Sequence, residues 1–157
     1  MSKSSRDWFR VVLFIVLCEC VGLLGSLTTV SGVSTWYATL AKPVLNPPSW
    51  IFGPVWTLLY ALMGIAAYLV YKKGKVAHVA LRVFGLQLFL IGIWSPVFFG
   101  LHGPDVAFGI IVLMWMSIVW TMVQFSKHSK LATGLLVPYL LWVSFASYLN
   151  LMIWMLN

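Results

Sequence analysis

Three runs of aromatic residues at helical spacing carry most of the chemistry this sequence offers. Trp56 and Tyr60 are four apart, and Gly64 continues their face and leaves space on it. Trp94 and Phe98 are four apart with Pro96 between them, and Tyr139, Trp142, Ala146 and Leu149 recur at spacings of three or four. Side chains so spaced share one helix face. A stripe of this kind usually packs helix on helix. Three stripes on three segments, beside an aromatic loop, suit instead a cavity for a large, flat, apolar ligand. Such a ligand is held by stacking and burial with few polar contacts.

Glu19 is the one acid inside an apolar segment. A charge there is costly, so it reads either as a functional group facing the bundle or as a protonated carboxyl hydrogen-bonded to a neighbouring helix. Other chemistry is missing. His78, His102 and His128 lie in or beside turns, so no histidine is placed mid-helix as an axial haem ligand. There is no HExxH, phosphate-binding glycine loop, GxSxG or carboxylate pair, and no metal site is expected. Cys18 and Cys20, two apart on a helix, point to nearly opposite sides and do not bridge each other.

These residues must be positioned by membrane helices. Of 157 residues, 62% are hydrophobic and 8% charged, against about 25% charged in a soluble domain. The fold class is an all-α integral membrane protein in one domain, with apolar runs of the ~20 residues needed to cross a bilayer. The expected helices are 8–27, 51–71, 79–101, 106–125 and 131–156, with TTVSGVS ending the first. The basic N-terminus resembles a signal peptide, but Glu19 interrupts the run and no small-x-small site follows, so an uncleaved first helix is expected. Five helices show no internal repeat, which weakens an inverted-repeat transporter.

Charge sets the expected orientation. Lys3, Arg6, Arg10, Lys72, Lys73, Lys75, Arg82, Lys127 and Lys130 fall on one side of a five-helix topology, and Lys42 alone on the other. The N-terminus is therefore expected inside, and the first loop and C-terminus outside. The net charge of +7 comes from residues flanking membrane segments, so lipid rather than nucleic acid is the expected surroundings. The loop, about 28–50, is stiffened by Pro43, Pro47 and Pro48 and carries Trp36, Tyr37 and Trp50. It reads as a lid. Gly85 and Gly92, seven apart, offer a small-residue face for self-association.

The segments WYATLAKPVLNPPSWIFGPVWTLLYALMGIAAY, WSPVFFG and VPYLLWVSFASYLN resemble the TspO family of translocator proteins, also called peripheral benzodiazepine receptor homologues. The similarity runs from the first helix to Asn150. It implies five transmembrane helices and a homodimer. It also implies binding of tetrapyrroles such as protoporphyrin IX and haem as ligands, with no cofactor required, and of sterols in eukaryotic members. The lining it implies is Tyr37, Pro43, Pro47, Trp50, Trp56, Tyr60, Trp94, Trp142, Ala146 and Leu149. Two positions depart from the family. Ile91 replaces an asparagine found in many members, which makes the pocket more apolar. No basic residue follows Tyr148, so sterol binding through that motif is not expected.

A tetrapyrrole-binding sensor, carrier or scavenger is the first functional reading. The alternatives are an enzyme for light-dependent porphyrin breakdown through Trp56 and Trp142, a small transporter in which Glu19 couples to protons, and a regulatory scaffold.

Overall fold

The computed structural model describes residues 3–157, and side chains from Ser5 onward. The charge of Lys3 counted above lies outside the described side chains. Helices are the only regular structure among the described residues. Five stretches are long and apolar enough to cross a membrane: Ser5–Ser34, Ser49–Tyr71, Gly74–Gly100, Pro104–Ser126 and Lys130–Leu156.

Helix α1, Lys3–Ser34, is 32 residues long and does not stop at Leu27. TTVSGVS stays helical because its hydroxyls turn back on the helix itself. Thr28 and Thr29 donate to the Gly25 carbonyl at 2.9 and 3.1 Å, and Ser31 donates to that of Thr28 at 3.1 Å. Thr35 donates to the Ser31 carbonyl at 2.7 Å. In apolar surroundings these hydroxyls have no water to compete for them, so residues that break helices in water are accommodated. The expected lid of 28–50 is correspondingly shorter. One turn, α2 (Trp36–Thr39), follows α1; residues 40–48 carry no helix; and a 3₁₀ turn, Ser49–Ile51, leads directly into α3, Phe52–Tyr71.

Helix α4, His78–Ser95, ends earlier than the expected 79–101. Pro96 has no N–H to continue the ladder, and Pro96–Gly100 form a π turn in which Leu101 N donates to the Pro96 carbonyl at 3.0 Å. Helix α5 is Pro104–Ser126, with Pro104 at its start and Asp105 in the first turn. The fifth span is not one helix over 131–156. It divides into α6, Lys130–Leu135, and α7, Val137–Leu156. Pro138 cannot donate to the carbonyl of Gly134, and the chain turns at Leu136 instead.

The core is built from Met63, Ala66 and Ala67 of α3, Phe84 and Ile91 of α4, Ile111, Met114 and Ile118 of α5, and Tyr139 and Val143 of α7. Glycine sets the closest approach. A Cβ on Gly64 would stand 2.6 Å from Ile15 Cα and 2.7 Å from its nitrogen. Gly64 is thus where α3 seats on the α1 backbone, and it leaves no pocket space. Gly22 is covered by the Tyr60 ring in the same interface. The Gly85 and Gly92 pair divides: a Cβ on Gly92 would lie 3.2 Å from Val21, whereas Gly85 has open space. At the basic end of the bundle, Lys72 Nζ and Asp7 Oδ2 pair at 3.3 Å, joining α3 to α1. The Asp7 carboxylate holds the Lys72 ammonium above its ordinary lysine value.

Candidate functional site

A cavity of about 530 Å³ lies between α1, α3, α4 and α7 at the loop end of the bundle. Its size is that of a site for a drug-sized or larger organic molecule. Helix α3 supplies Phe52, Trp56 and Tyr60; α4 and its π turn supply Ile91, Trp94, Ser95 and Phe99; α7 supplies Trp142 and Ala146. The loop adds Tyr37 and Trp50. Trp50 is 74% exposed and stands at the mouth.

The aromatic rings are braced against one another. Trp56 meets Trp142 edge-on, with centroids 6.4 Å apart and planes at 87°, and lies tilted on Tyr60 at 5.8 Å. Phe52 meets Trp142 edge-on at 6.0 Å. Trp94 stacks on Phe98 at 5.1 Å. Its Nε1 donates to Asn150 Oδ1 at 3.1 Å, and Asn150 Nδ2 donates to the Pro104 carbonyl at 2.6 Å. One buried chain of hydrogen bonds thus fixes the Trp94 ring and ties α4, α5 and α7 together. Trp142 differs: its Nε1 is buried and has no partner.

The loop is tied down over the cavity. Tyr37 is buried, and its hydroxyl donates to Asn46 Oδ1 at 2.7 Å. Burial pushes the Tyr37 phenol above its ordinary value, against the opposing pull of Asn46. Lys42 Nζ sits 4.9 Å from the Tyr37 ring centre and donates to the Ala38 and Leu40 carbonyls. Trp36 stacks on His102 at 4.6 Å. Ala41 exchanges two hydrogen bonds with the side chain of Asn157, at 3.0 and 3.1 Å.

The wall is chemically simple. It carries one acid, Glu19, no base, and no imidazole, thiol or thioether. Among the described residues no three His, Cys, Asp or Glu side chains cluster as a metal site would need.

Of the ten lining residues named from the sequence, Tyr37, Trp50, Trp56, Tyr60, Trp94, Trp142 and Ala146 stand on the wall. Pro43 is buried within the loop, Pro47 is half-buried there, and Leu149 is buried in the core; none of the three reaches the wall. Tyr139 turns away from the cavity and donates to Gln87 Oε1 at 2.7 Å. Ile91 stands on the wall, 3% exposed. Sequence reasoning missed the α1 side, from Gly22 and Leu23 through Ser26, Thr29 and Val33. These recur at three and four, but they are small or aliphatic and carry no aromatic signal. Several lie beyond the expected helix end.

The TspO/MBR family profile matches residues 14–155. The chain belongs to the TspO/MBR family. The TspO/MBR match spans all five membrane helices, so this is a multi-pass membrane protein. Among relatives, the Tryptophan-rich protein TspO of Chlorobaculum tepidum is 48% identical, covering 98% of this chain and 99% of the relative. The Tryptophan-rich sensory protein of Cereibacter sphaeroides is 35% identical, covering 93% and 90%. The Translocator protein of Bos taurus is 36% identical, covering 96% and 91%. The chain is thus a near full-length counterpart of all three TspO/MBR relatives.

Proposed function

We propose that this protein binds tetrapyrroles, protoporphyrin IX and haem among them, in the cavity beneath its first loop, as a sensor, carrier or scavenger. The observation that carries the reading is the wall: four indoles and two phenols around about 530 Å³, with one acid and no base. A flat aromatic macrocycle gains from stacking and burial on such a wall. Its ionised carboxylates find no cation there, so they stay at the mouth. The wall offers haem iron no histidine, cysteine or methionine, so the reading rests on the ring rather than on the metal. The printed name of the Cereibacter relative, a sensory protein, fits the sensor role. Titrating protoporphyrin IX against the intrinsic tryptophan fluorescence tests the reading. Saturable quenching is expected; quenching that stays linear in added porphyrin overturns it.

A second reading is light-dependent breakdown of the bound porphyrin, with Trp56 and Trp142 as redox partners of the excited ring. The observation favouring it is that both indoles stand on the wall in contact. A defined product, lost in Trp56→Phe and Trp142→Phe while binding persists, supports it. Bleaching equal to that of porphyrin in empty detergent counts against it.

The proposal extends to placement in the membrane. The cations at the ends of α1 and α3 and around α6 set the N-terminus inside and the loop and C-terminus outside. The protein assembles in the bilayer as a homodimer. Labelling of a cysteine introduced at Val44, which is fully exposed in the loop, checks the orientation: reaction from the cytoplasmic side only reverses it.

A further inference from the structure

The first membrane span is the least covered of the five. At its basic end Arg6, Phe9, Arg10, Leu13 and Leu17 recur at spacings of three and four, so they share one face of α1. That face borders an open groove of about 540 Å³, lined also by Phe14 and by Tyr71 at the end of α3. The Phe14 and Tyr71 rings pack at 5.2 Å and join the two helices there. The groove shares no residue with the wall of the cavity. It lies on the outside of the bundle, where Phe9, Leu13 and Leu17 stay about half exposed or more.

Charge is divided along the groove. Arg6 and Arg10 stand at one end, and toward the middle of the membrane the same α1 face continues as Leu13 and Leu17. Asp7, beside Arg6 in the chain, is held by Lys72 at 3.3 Å; among the described residues neither arginine forms an ion pair, and Arg10 feels the Asp7 carboxylate without contacting it. Topology asks for cations at this end and is indifferent to the helix face they occupy. These two stand one turn apart on one face, with Cβ atoms about 5–6 Å from each other. Two guanidinium forks at that spacing suit a single phosphodiester, which each can meet through paired N–H donors. Below them α1 rises about 16 Å from Arg6 to Leu17, close to the ~15 Å of hydrocarbon in one leaflet. A cationic head over an apolar strip of that depth matches one amphiphile in length and in charge. We propose that the groove is a binding site for an anionic phospholipid of the leaflet bordering the basic end: Arg6 and Arg10 hold the headgroup phosphate, and an acyl chain lies along Phe9, Leu13 and Leu17 against Tyr71. The site is separate from the cavity and holds whatever the cavity binds.

Native mass spectrometry of the full-length protein, titrated in one detergent with dioleoyl phosphatidylglycerol or dioleoyl phosphatidylcholine, tests the assignment. The two lipids share their chains, so the ratio of their affinities reads the headgroup contact. Wild type is expected to prefer phosphatidylglycerol, and Arg6→Gln with Arg10→Gln to lower that preference about ten-fold, the scale of a charge-assisted contact. Lys73→Gln with Lys75→Gln removes the same charge from the same end, away from the groove, and is expected to leave the preference within about two-fold. An equal loss in both pairs, or no loss in the arginine pair, overturns the proposal. Inorganic phosphate at ten times the lipid concentration is expected to leave the lipid bound; displacement would make this a site for free anions. The occupant is read directly with p-benzoylphenylalanine in place of Val16, which is exposed beside the groove. In vesicles of equal parts of the two lipids, irradiation is expected to give adducts enriched in phosphatidylglycerol, and the enrichment to vanish in the arginine pair. Cross-linking of two copies of the chain instead of lipid would give the groove to a second protomer and overturn the proposal. Thermal melts confirm that each variant is folded.

Discussion

The indoles of Trp56 and Trp142 meet edge to face on the cavity wall, 6.4 Å apart at 87°, while the Trp94 indole on the same wall is held by a hydrogen bond to Asn150. One comes from α3 and the other from α7, so the contact exists only when the bundle is assembled. Its geometry leaves the Trp142 N–H unpaired, and function and stability therefore part company at this residue.

Trp142→Phe keeps an aromatic ring and deletes the orphaned N–H. Removing a buried donor that has no partner relieves a desolvation cost of about 1–3 kcal/mol, against a smaller ring that packs less well. The melting temperature is expected to hold or fall by only a few degrees while porphyrin binding weakens several-fold. A deep loss of stability with affinity unchanged would show that the N–H has a partner in the folded protein.

Asn150 behaves in the opposite way. Asn150→Leu strands the Trp94 indole N–H and removes the side-chain bond to the Pro104 carbonyl at the start of α5. The orphaned indole costs about 1–3 kcal/mol, so the variant is expected to lose about that much in denaturant titrations. Porphyrin affinity falls as well, because Trp94 loses its anchor. Stability within 1 kcal/mol of wild type contradicts the network.

Two glycines distinguish packing from open surface. Gly64→Ala drives a methyl into the Ile15 backbone and is expected to cost about 1–3 kcal/mol through overpacking. Gly85→Ala meets nothing and is expected to gain about 0.5–1 kcal/mol, the ordinary benefit of alanine inside a helix. Equal effects at the two sites, read from unfolding curves in one detergent, would place the α1–α3 contact elsewhere.

The loop prolines restrict a segment that folds over the mouth. Pro48 is exposed and Pro47 half-buried, and neither lines the cavity, so replacing both with alanine removes few contacts. What it removes is stiffness, and a looser cover loses more entropy on closing. Porphyrin affinity is expected to drop further than the melting temperature would suggest. The reverse order would make the loop a strut.

The number of spans and the aromatic part of the wall were legible in the sequence because both rest on periodicity. Trp56, Tyr60, Trp94 and Trp142 repeat at helical spacing in apolar runs, and nothing in the fold competes with that pattern. The end of α1 was not legible, because Thr28, Thr29 and Ser31 are loop formers in water and become helix formers where their hydroxyls bond backward. That shift hid Thr29 and Val33 of the α1 wall, while Gly22, Leu23 and Ser26, inside the expected helix, gave no aromatic signal. Gly64 was misread for a related reason: a small residue marks either empty space or a close backbone, and only the position of Ile15 decides. Tyr139 shares a helix with Trp142, but its hydroxyl is claimed by Gln87, a partner 52 positions away that no local pattern reveals.

The central claim is that the ligand sits in this cavity. Ala146 is the small residue of the α7 stripe and stands on the wall beside Trp142, so Ala146→Phe fills the space from within. Protoporphyrin titration of this variant against wild type, with melting curves for both, tests the claim directly. The account predicts at least a ten-fold loss of affinity with the melting temperature unchanged or raised. Wild-type affinity in a fully folded Ala146→Phe protein would place the porphyrin somewhere else.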